Sequence, residues 1–399
     1  MKIGMVAHRA WPSVGGAEVL LRHISTELST TNDVTIIARR IDNAPTGGAD
    51  LTYGHVPEFG PIRDGNVTVN QLRFNGQTRR KLGSFRVFDA PVVRRYTHRP
   101  SRRRILSAYA RIVGPSLAQQ LSGCEVVHAW SGDLLGAAAE RAARILDVPF
   151  VISPQAHAGQ YGDSSSCGWL YRQADVVTGG LQTELDIYRG LGVPEQHLAL
   201  CGQGVPPLPQ ADATDVRSRY GIEGPIVLFI GAKRAYKGAD LLAAAAELLH
   251  ASHPETKVVF VGPGVLTAEH RNSDSVIDVG VVDDTERAAW LRAANVLAIP
   301  SEYESFSLVV LEAWSVGIPA VVSDIPTFQE LARLSSGALI APRDASALAD
   351  SLGLLLDSPE QMVALGRAGH DFWASGHTAE LAARRFKEVY DQTLILRTR

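Results

Sequence analysis

Lys2-Ile3-Gly4-Met5-Val6-Ala7 opens the chain as a short apolar run. A loop from His8 to Gly16 follows, and then apolar positions at Ala17, Leu20, Leu21, Ile24 and Leu28. That spacing lines one face of a helix. Asp33 to Ala38 reads as a second strand, so the first forty residues form a β-loop-α-β unit, the element from which parallel sheets are wound. The fold class is α/β. Working outward, strands are predicted at Val126 to Trp130, Phe150 to Ser153, Val176 to Thr178 and Leu198 to Cys201, with a helix at Leu134 to Leu146.

Pro206, Pro207 and Pro209 lead into Ala-Asp-Ala-Thr-Asp, a stretch that continues neither strand nor helix and reads as a linker. Beyond it the alternation resumes, with strands at Ile226 to Ile230, Lys257 to Val261, Val276 to Val279, Val296 to Ile299, Ala320 to Ser323 and Ala338 to Ile340. Helical patterns cover Asp284 to Ala294, Leu308 to Val316, Ala345 to Leu356 and Thr378 to Leu396. With 399 residues, two domains are expected. A formal net charge of −3 argues against a dedicated nucleic-acid binder. No apolar run approaches the roughly 18 residues that span a bilayer, and no signal-peptide order is seen at the start. Cys124, Cys167 and Cys201 are scattered and odd in number, which fits neither a disulfide framework nor a zinc site, so a reducing cytoplasm is expected.

The most informative stretch is Pro300-Ser301-Glu302-Tyr303-Glu304-Ser305-Phe306-Ser307-Leu308-Val309-Val310-Leu311-Glu312-Ala313, directly after an apolar strand. It opens a helix whose first N–H groups, around Ser307, Leu308 and Val309, would face the carboxyl edge of a parallel sheet, where phosphate is favoured. Glu304 and Glu312 can accept hydrogen bonds from sugar hydroxyls. An isolated glutamate pair also fits a solvated helix. The stretch resembles the Glu-x7-Glu motif of retaining glycosyltransferases of family 4, with Ser307 where that pattern normally has Gly.

The resemblance extends over nearly the whole chain. Gly15-Gly16-Ala17-Glu18 is similar to the family's glycine-rich turn, in which Gly16 leaves room for a ligand at a helix N-terminus. Gly231-Ala232-Lys233-Arg234-Ala235-Tyr236-Lys237-Gly238 resembles the family's Gly-Arg followed by Lys-Gly, which puts Lys237 on the donor diphosphate. Ala232 stands in place of the family arginine, and either Lys233 or Arg234 can take its role, with Arg234 preferred. Val261-Gly262-Pro263-Gly264 and the backbone from Val279 to Val281 resemble turns near the nucleotide base, although a tight turn alone also explains Gly262. Ser153-Pro154-Gln155-Ala156-His157-Ala158-Gly159-Gln160 is similar to the segment that carries a histidine near the reacting sugar, so His157 is a candidate catalytic residue beside Glu304 and Lys237. His128, Trp130 and Asp133 lie at another strand end and read as acceptor-side lining or as packing.

The resemblance implies a GT-B architecture, two Rossmann-like domains facing a cleft, with residues 1–205 taking the acceptor, 206–377 the nucleotide-sugar donor, and a helix at 378–399 returning to the first domain. It implies retaining transfer of a hexose-type sugar from a nucleotide diphosphate sugar, UDP- or GDP-linked, to an unidentified acceptor, with Glu304 on the hexose, Glu312 on the ribose and Phe306 to Val309 lining the donor. No Asp-x-Asp motif appears in a metal-site context, so no metal and no cofactor beyond the cosubstrate is expected. A nucleotide-sugar epimerase or phosphorylase on the same fold and a silent nucleotide-sugar binder are the competing readings. Arg79 to Arg104 carries Arg79, Arg80, Lys81, Arg86, Arg94, Arg95, Arg99, Arg102, Arg103 and Arg104 against a single acid, Asp89. Such a segment suits peripheral contact with an anionic membrane, an anionic acceptor, or plain solvation as a basic loop.

Overall fold

The structure, a computed structural model, describes residues 1–12, 15–41, 58–83, 101–159, 162–271 and 273–398. The chain divides into two units, Met1–Gln203 with Ala379–Arg399, and Gly204–Thr378.

In the first unit, β1 (Lys2–Arg9), α1 (Gly16–Leu28) and β2 (Asp33–Arg40) form the opening β-α-β unit. A hairpin of β3 (Ile62–Asp64) and β4 (Val67–Gln71) follows, then α2 (Gly76–Gly83) and the twenty-residue α3 (Ser101–Gln120). The remainder is β5 (Val126–Ala129), α4 (Leu134–Leu146), β6 (Phe150–Ile152), α5 (Ser165–Tyr171), β7 (Val176–Gly179), α6 (Gln182–Gly190) and β8 (Leu198–Leu200). The sheet runs β3-β4-β2-β1-β5-β6-β7-β8, parallel except for β3 against β4. Strands β1, β2, β5 and β6 are buried along most of their length, as a sheet covered by helices on both faces requires. Asp133 caps α4 by accepting the Leu135 N–H at 3.1 Å.

The second unit comprises α7 (Ala213–Tyr220), β9 (Ile226–Ile230), α8 (Ala239–His250), β10 (Lys257–Val261), the single turn α9 (Ala268–Arg271), β11 (Val276–Gly280), α10 (Asp284–Ala293), β12 (Val296–Ile299), α11 (Leu308–Ser315), β13 (Ala320–Ser323), α12 (Pro326–Ser335), β14 (Ala338–Ala341), α13 (Ala345–Leu356) and α14 (Pro359–Gly376). Its sheet is wholly parallel, in the order β11-β10-β9-β12-β13-β14. The last helix, α15 (Ala379–Thr398), belongs to the first unit, where it packs on α1. Its Tyr390 hydroxyl lies 2.6 Å from His128 Nδ1, and Arg385 Nε donates to the Cys201 carbonyl at 2.6 Å.

Part of the basic segment is helical. Arg79, Arg80 and Lys81 belong to α2, and Arg102, Arg103 and Arg104 to the start of α3, while residues 84–100, with Arg86, Arg94, Arg95 and Arg99, lie outside the described residues. Arg79 donates to the Phe74 carbonyl and pairs with Glu58, and the Arg103 guanidinium lies 5.1 Å from the centre of the Trp169 ring. Among the described residues no helix is long and apolar enough to cross a membrane.

Candidate active site

In each sheet the chain reverses direction of growth at one place, and side chains at the carboxyl ends of the strands flanking that place share a crevice. In the second unit the reversal falls between β9 and β12. Lys237 comes from the short 3-10 turn that follows β9, and Glu304 from the loop that follows β12. Their side chains meet there, Lys237 Nζ donating to Glu304 Oε1 at 2.6 Å. Ser301 Oγ donates to the same oxygen at 2.8 Å, and Thr327 Oγ1 fixes the Glu304 carbonyl at 2.8 Å. Glu304 is 8% exposed and Lys237 23%, so the carboxylate sits behind and the ammonium in front.

The two loops are fastened to each other by backbone. Glu302 N–H donates to the Tyr236 carbonyl at 2.7 Å, and Arg343 reaches across from the end of β14 to the carbonyls of Pro300 and Ala235, at 3.2 and 3.1 Å. Gly238 has φ +72°, and a Cβ there would lie 2.4 Å from the Pro300 carbonyl oxygen, so only glycine lets the loops approach this closely.

Ser307 precedes α11 with φ +85° and ψ 88°, a left-handed conformation that costs a residue with a Cβ about 1–3 kcal/mol. Its side chain makes no capping hydrogen bond. The first N–H groups of α11, from Leu308 and Val309, have no acceptor within the helix and remain a place for an anion. Phe306, wholly buried, anchors the loop from below.

Glu312, in the second turn of α11, is not free to face solvent alone. It pairs with Arg287 of α10, the carboxylate 5% and the guanidinium 22% exposed, and Arg287 also reaches Asp284 at 3.3 Å. Burial pushes the Glu312 carboxyl above its ordinary range, and Arg287 opposes that push. Arg287 escaped the sequence reading because the pairing depends on how two successive helices rotate about their axes.

Lys233 and Arg234 differ in their surroundings. The Lys233 side chain is 1% exposed, paired with Asp278 at 2.8 Å and donating to the Gly262 carbonyl, which ties the turn after β9 to the turn after β10 and to strand β11. Arg234 is exposed, with no side-chain partner among the described residues. Gly262 itself has φ +131°, and a Cβ there would lie 2.3 Å from the Gly231 carbonyl oxygen, so its glycine serves the close packing of two turns. Val281 is 74% exposed after Gly280, an apolar side chain displayed at a strand end.

In the first unit the reversal lies between β1 and β5, and there His8 Nε2 meets Asp133 Oδ2 at 2.7 Å. Burial would raise the Asp133 carboxyl, but His8, Ser131 and the Leu135 N–H outweigh it and hold it down at about 2. Gly16 begins α1, exposed, and a Cβ added there would meet nothing within 4 Å; the crowded glycine is Gly15, whose Cβ would lie 2.3 Å from Glu18 Oε2. His157 is half-buried in the turn after β6, and Gln155 beside it has φ +54°. His128 is wholly buried between Tyr390 and Ser153, at 2.6 and 2.8 Å, and burial lowers it to about 3, so it is a neutral packing residue that ties α15 to the sheet.

Two sheets of this kind, each with polar side chains gathered at its switch point, define a two-domain α/β protein of the Rossmann type. Among solved structures, sucrose-phosphate synthase from Thermosynechococcus elongatus matches at 19% identity with a TM-score of 0.73, covering 99% of each chain. Anabaena HepE in complex with UDP matches at 16% identity with a TM-score of 0.71, covering 98% of this chain and 100% of that one. The fold is GT-B. Residues 213–372 match the family described as glycosyl transferases group 1. D-inositol 3-phosphate glycosyltransferase 1 of Catenulispora acidiphila is 30% identical over 342 residues, 76% of this chain and 81% of that protein. Glycogen synthase of Mycobacterium tuberculosis is 30% identical over 292 residues, 67% and 68% of the two chains. The chain belongs to the group 1 glycosyl transferases.

Proposed function

We propose that this protein is a retaining glycosyltransferase that moves a hexose-type sugar from a nucleotide diphosphate sugar to an acceptor hydroxyl. The observation that carries the reading is the Lys237–Glu304 pair at the switch point of the second sheet, 2.6 Å apart and next to the uncapped N-terminus of α11. A lysine with two further N–H bonds to give answers the charge that builds on a departing diphosphate, and a carboxylate behind it answers sugar hydroxyls. Arg234 adds a second cation, Glu312 takes the ribose, and the backbone near Gly262 and Val281 meets the base. In the first unit His157 and Gly16 are the candidate residues. The C1–O bond to the diphosphate breaks as the acceptor oxygen bonds C1 on the same face, and the leaving phosphate oxygen takes the acceptor proton. These cations support turnover without a divalent ion. The structure of Anabaena HepE with UDP-glucose supports a nucleotide-sugar donor, and membership of the family favours a transferase over an epimerase or a silent binder.

The test is thermal-shift binding of UDP, GDP, ADP and their sugar conjugates, with and without chelator, to the wild type and Glu312→Ala. The expected result is a rise selective for one nucleotide, insensitive to chelator and weakened in the variant. No rise with any nucleotide in a folded sample would overturn the donor assignment.

A further inference from the structure

The turn that carries His157 is held in an unusual shape. Gln155 has φ +54°, and its Nε2 is buried without a partner among the described residues. Such a conformation persists only where neighbours over-determine it. The neighbour is Glu184, in the first turn of α6. Its Oε1 accepts the Ala156 N–H at 3.1 Å and the Tyr188 hydroxyl, and its Oε2 accepts the Gly180 N–H at 2.7 Å. Tyr188 also accepts the Ala156 N–H, at 3.3 Å. A glutamate that merely capped α6 would use one oxygen on the backbone before the helix and leave the other in water. Here the second oxygen leaves the helix for the turn after β6, and the residue is 4% exposed.

We propose that Glu184 is a positioning residue for glycosyl transfer, its carboxylate joining the turns after β6 and β7 so that His157 is presented in one orientation. The proposal rests on the glycosyltransferase reading above. Three donors converge on this carboxyl, from Ala156, Gly180 and Tyr188, and the ionised form accepts from all of them most strongly. A proton on either oxygen would weaken the acceptor that these donors share. The other titratable groups around it are Tyr188 on its own helix, Tyr171 of α5, whose ring lies 5.3 Å from that of Tyr188, and Cys201 after β8, whose thiol feels the Glu184 charge. No cation among the described residues pairs with it, and burial pushes its carboxyl up to about 7. The carboxylate is therefore formed, and the turn fixed, only as pH rises through neutrality.

Stability and activity then move in opposite directions. A group raised on folding contributes stability that is complete below about 4.5 and is lost as pH climbs through about 7. Glu184→Gln removes that loss, yet turns an amide N–H toward one of the converging donors. The experiment compares wild type and Glu184→Gln at pH 6 to 8.5 by turnover, by melting temperature, and by hydrogen exchange of the peptide that spans residues 154–159. Expected are a kcat lower by about 10- to 100-fold at pH 8, with the acid limb near pH 7 absent. UDP affinity should be unchanged, the melting temperature equal or higher, and exchange in the 154–159 peptide faster. Wild-type kcat with wild-type exchange would overturn the proposal, as would kcat and melting temperature falling together. Exchange needs no turnover, so an inactive wild type would count against glycosyl transfer, and unchanged exchange against Glu184.

Discussion

Arg287→Met isolates the buried pair behind the helix that carries Glu312. Glu312 is 5% exposed and its partner 22%, so the pair lies on the buried side of the range in which removing one member costs about 3–5 kcal/mol. The carboxyl can escape part of that cost by taking up a proton, since each unit of pKa shift is worth about 1.4 kcal/mol. Burial already raises the Glu312 carboxyl and Arg287 holds it back, so without Arg287 it rises further. A carboxyl raised on folding gives its full stability below about 4.5 and loses it as pH rises through the folded value, so the penalty for Arg287→Met must grow with pH. We expect a loss of about 2–3 kcal/mol at pH 8 and about half of that at pH 5. Urea unfolding of the wild type, Arg287→Met, Glu312→Gln and the double variant at both pH values measures it. The double variant removes both charges and should recover to within about 1 kcal/mol of the wild type. Equal losses at pH 5 and pH 8, or a double variant that loses the sum of the two single losses, would refute the reasoning.

Ser307→Gly relieves a left-handed backbone and should raise stability by about 1 kcal/mol without loss of UDP binding, whereas Ser307→Val should lower stability; differential scanning calorimetry with and without nucleotide reads both. Lys237→Met should weaken UDP binding by at least tenfold, about 1.4 kcal/mol by calorimetry, and the added substitution Glu304→Gln should not restore it, because the lost group is the cation. Lys233→Met should destabilise by about 3 kcal/mol through the uncompensated Asp278, while Arg234→Ala should leave the melting temperature within about 1 °C and weaken UDP alone.

Where hydrophobic runs are short and both faces are covered, the strands could be read directly. Ile226–Ile230, Lys257–Val261, Val296–Ile299 and Ala320–Ser323 lie where their apolar runs put them. Two elements went unread because polar residues mask the pattern. In α3, Leu106, Tyr109, Val113 and Leu117 keep a helical stripe into the core, but Arg102 to Arg104 and Pro115 disguise it as a basic loop. The β3–β4 hairpin is marked by Asp64-Gly65, with Gly65 at φ +58°, and by the alternating burial of Val67, Val69 and Gln71.

The candidate site divides along the same line. Residue types at strand ends are legible because topology alone gathers them at a switch point; partners are not, because pairing is decided by helix rotation and loop register. Glu304 and Glu312, read from sequence as acceptors for hydroxyls, each turn out to have a cation in front, Lys237 and Arg287. In both pairs the carboxylate is the more buried member, 8% against 23% and 5% against 22% exposed. An approaching ligand therefore meets the cations first and the carboxylates behind them. At Glu312 burial and the cation act in opposite directions, burial raising the carboxyl and Arg287 lowering it. Exchanging the order, with carboxylates outward, would repel the same ligand with no change of composition, which is why the sequence motif by itself could not decide the electrostatics of the site.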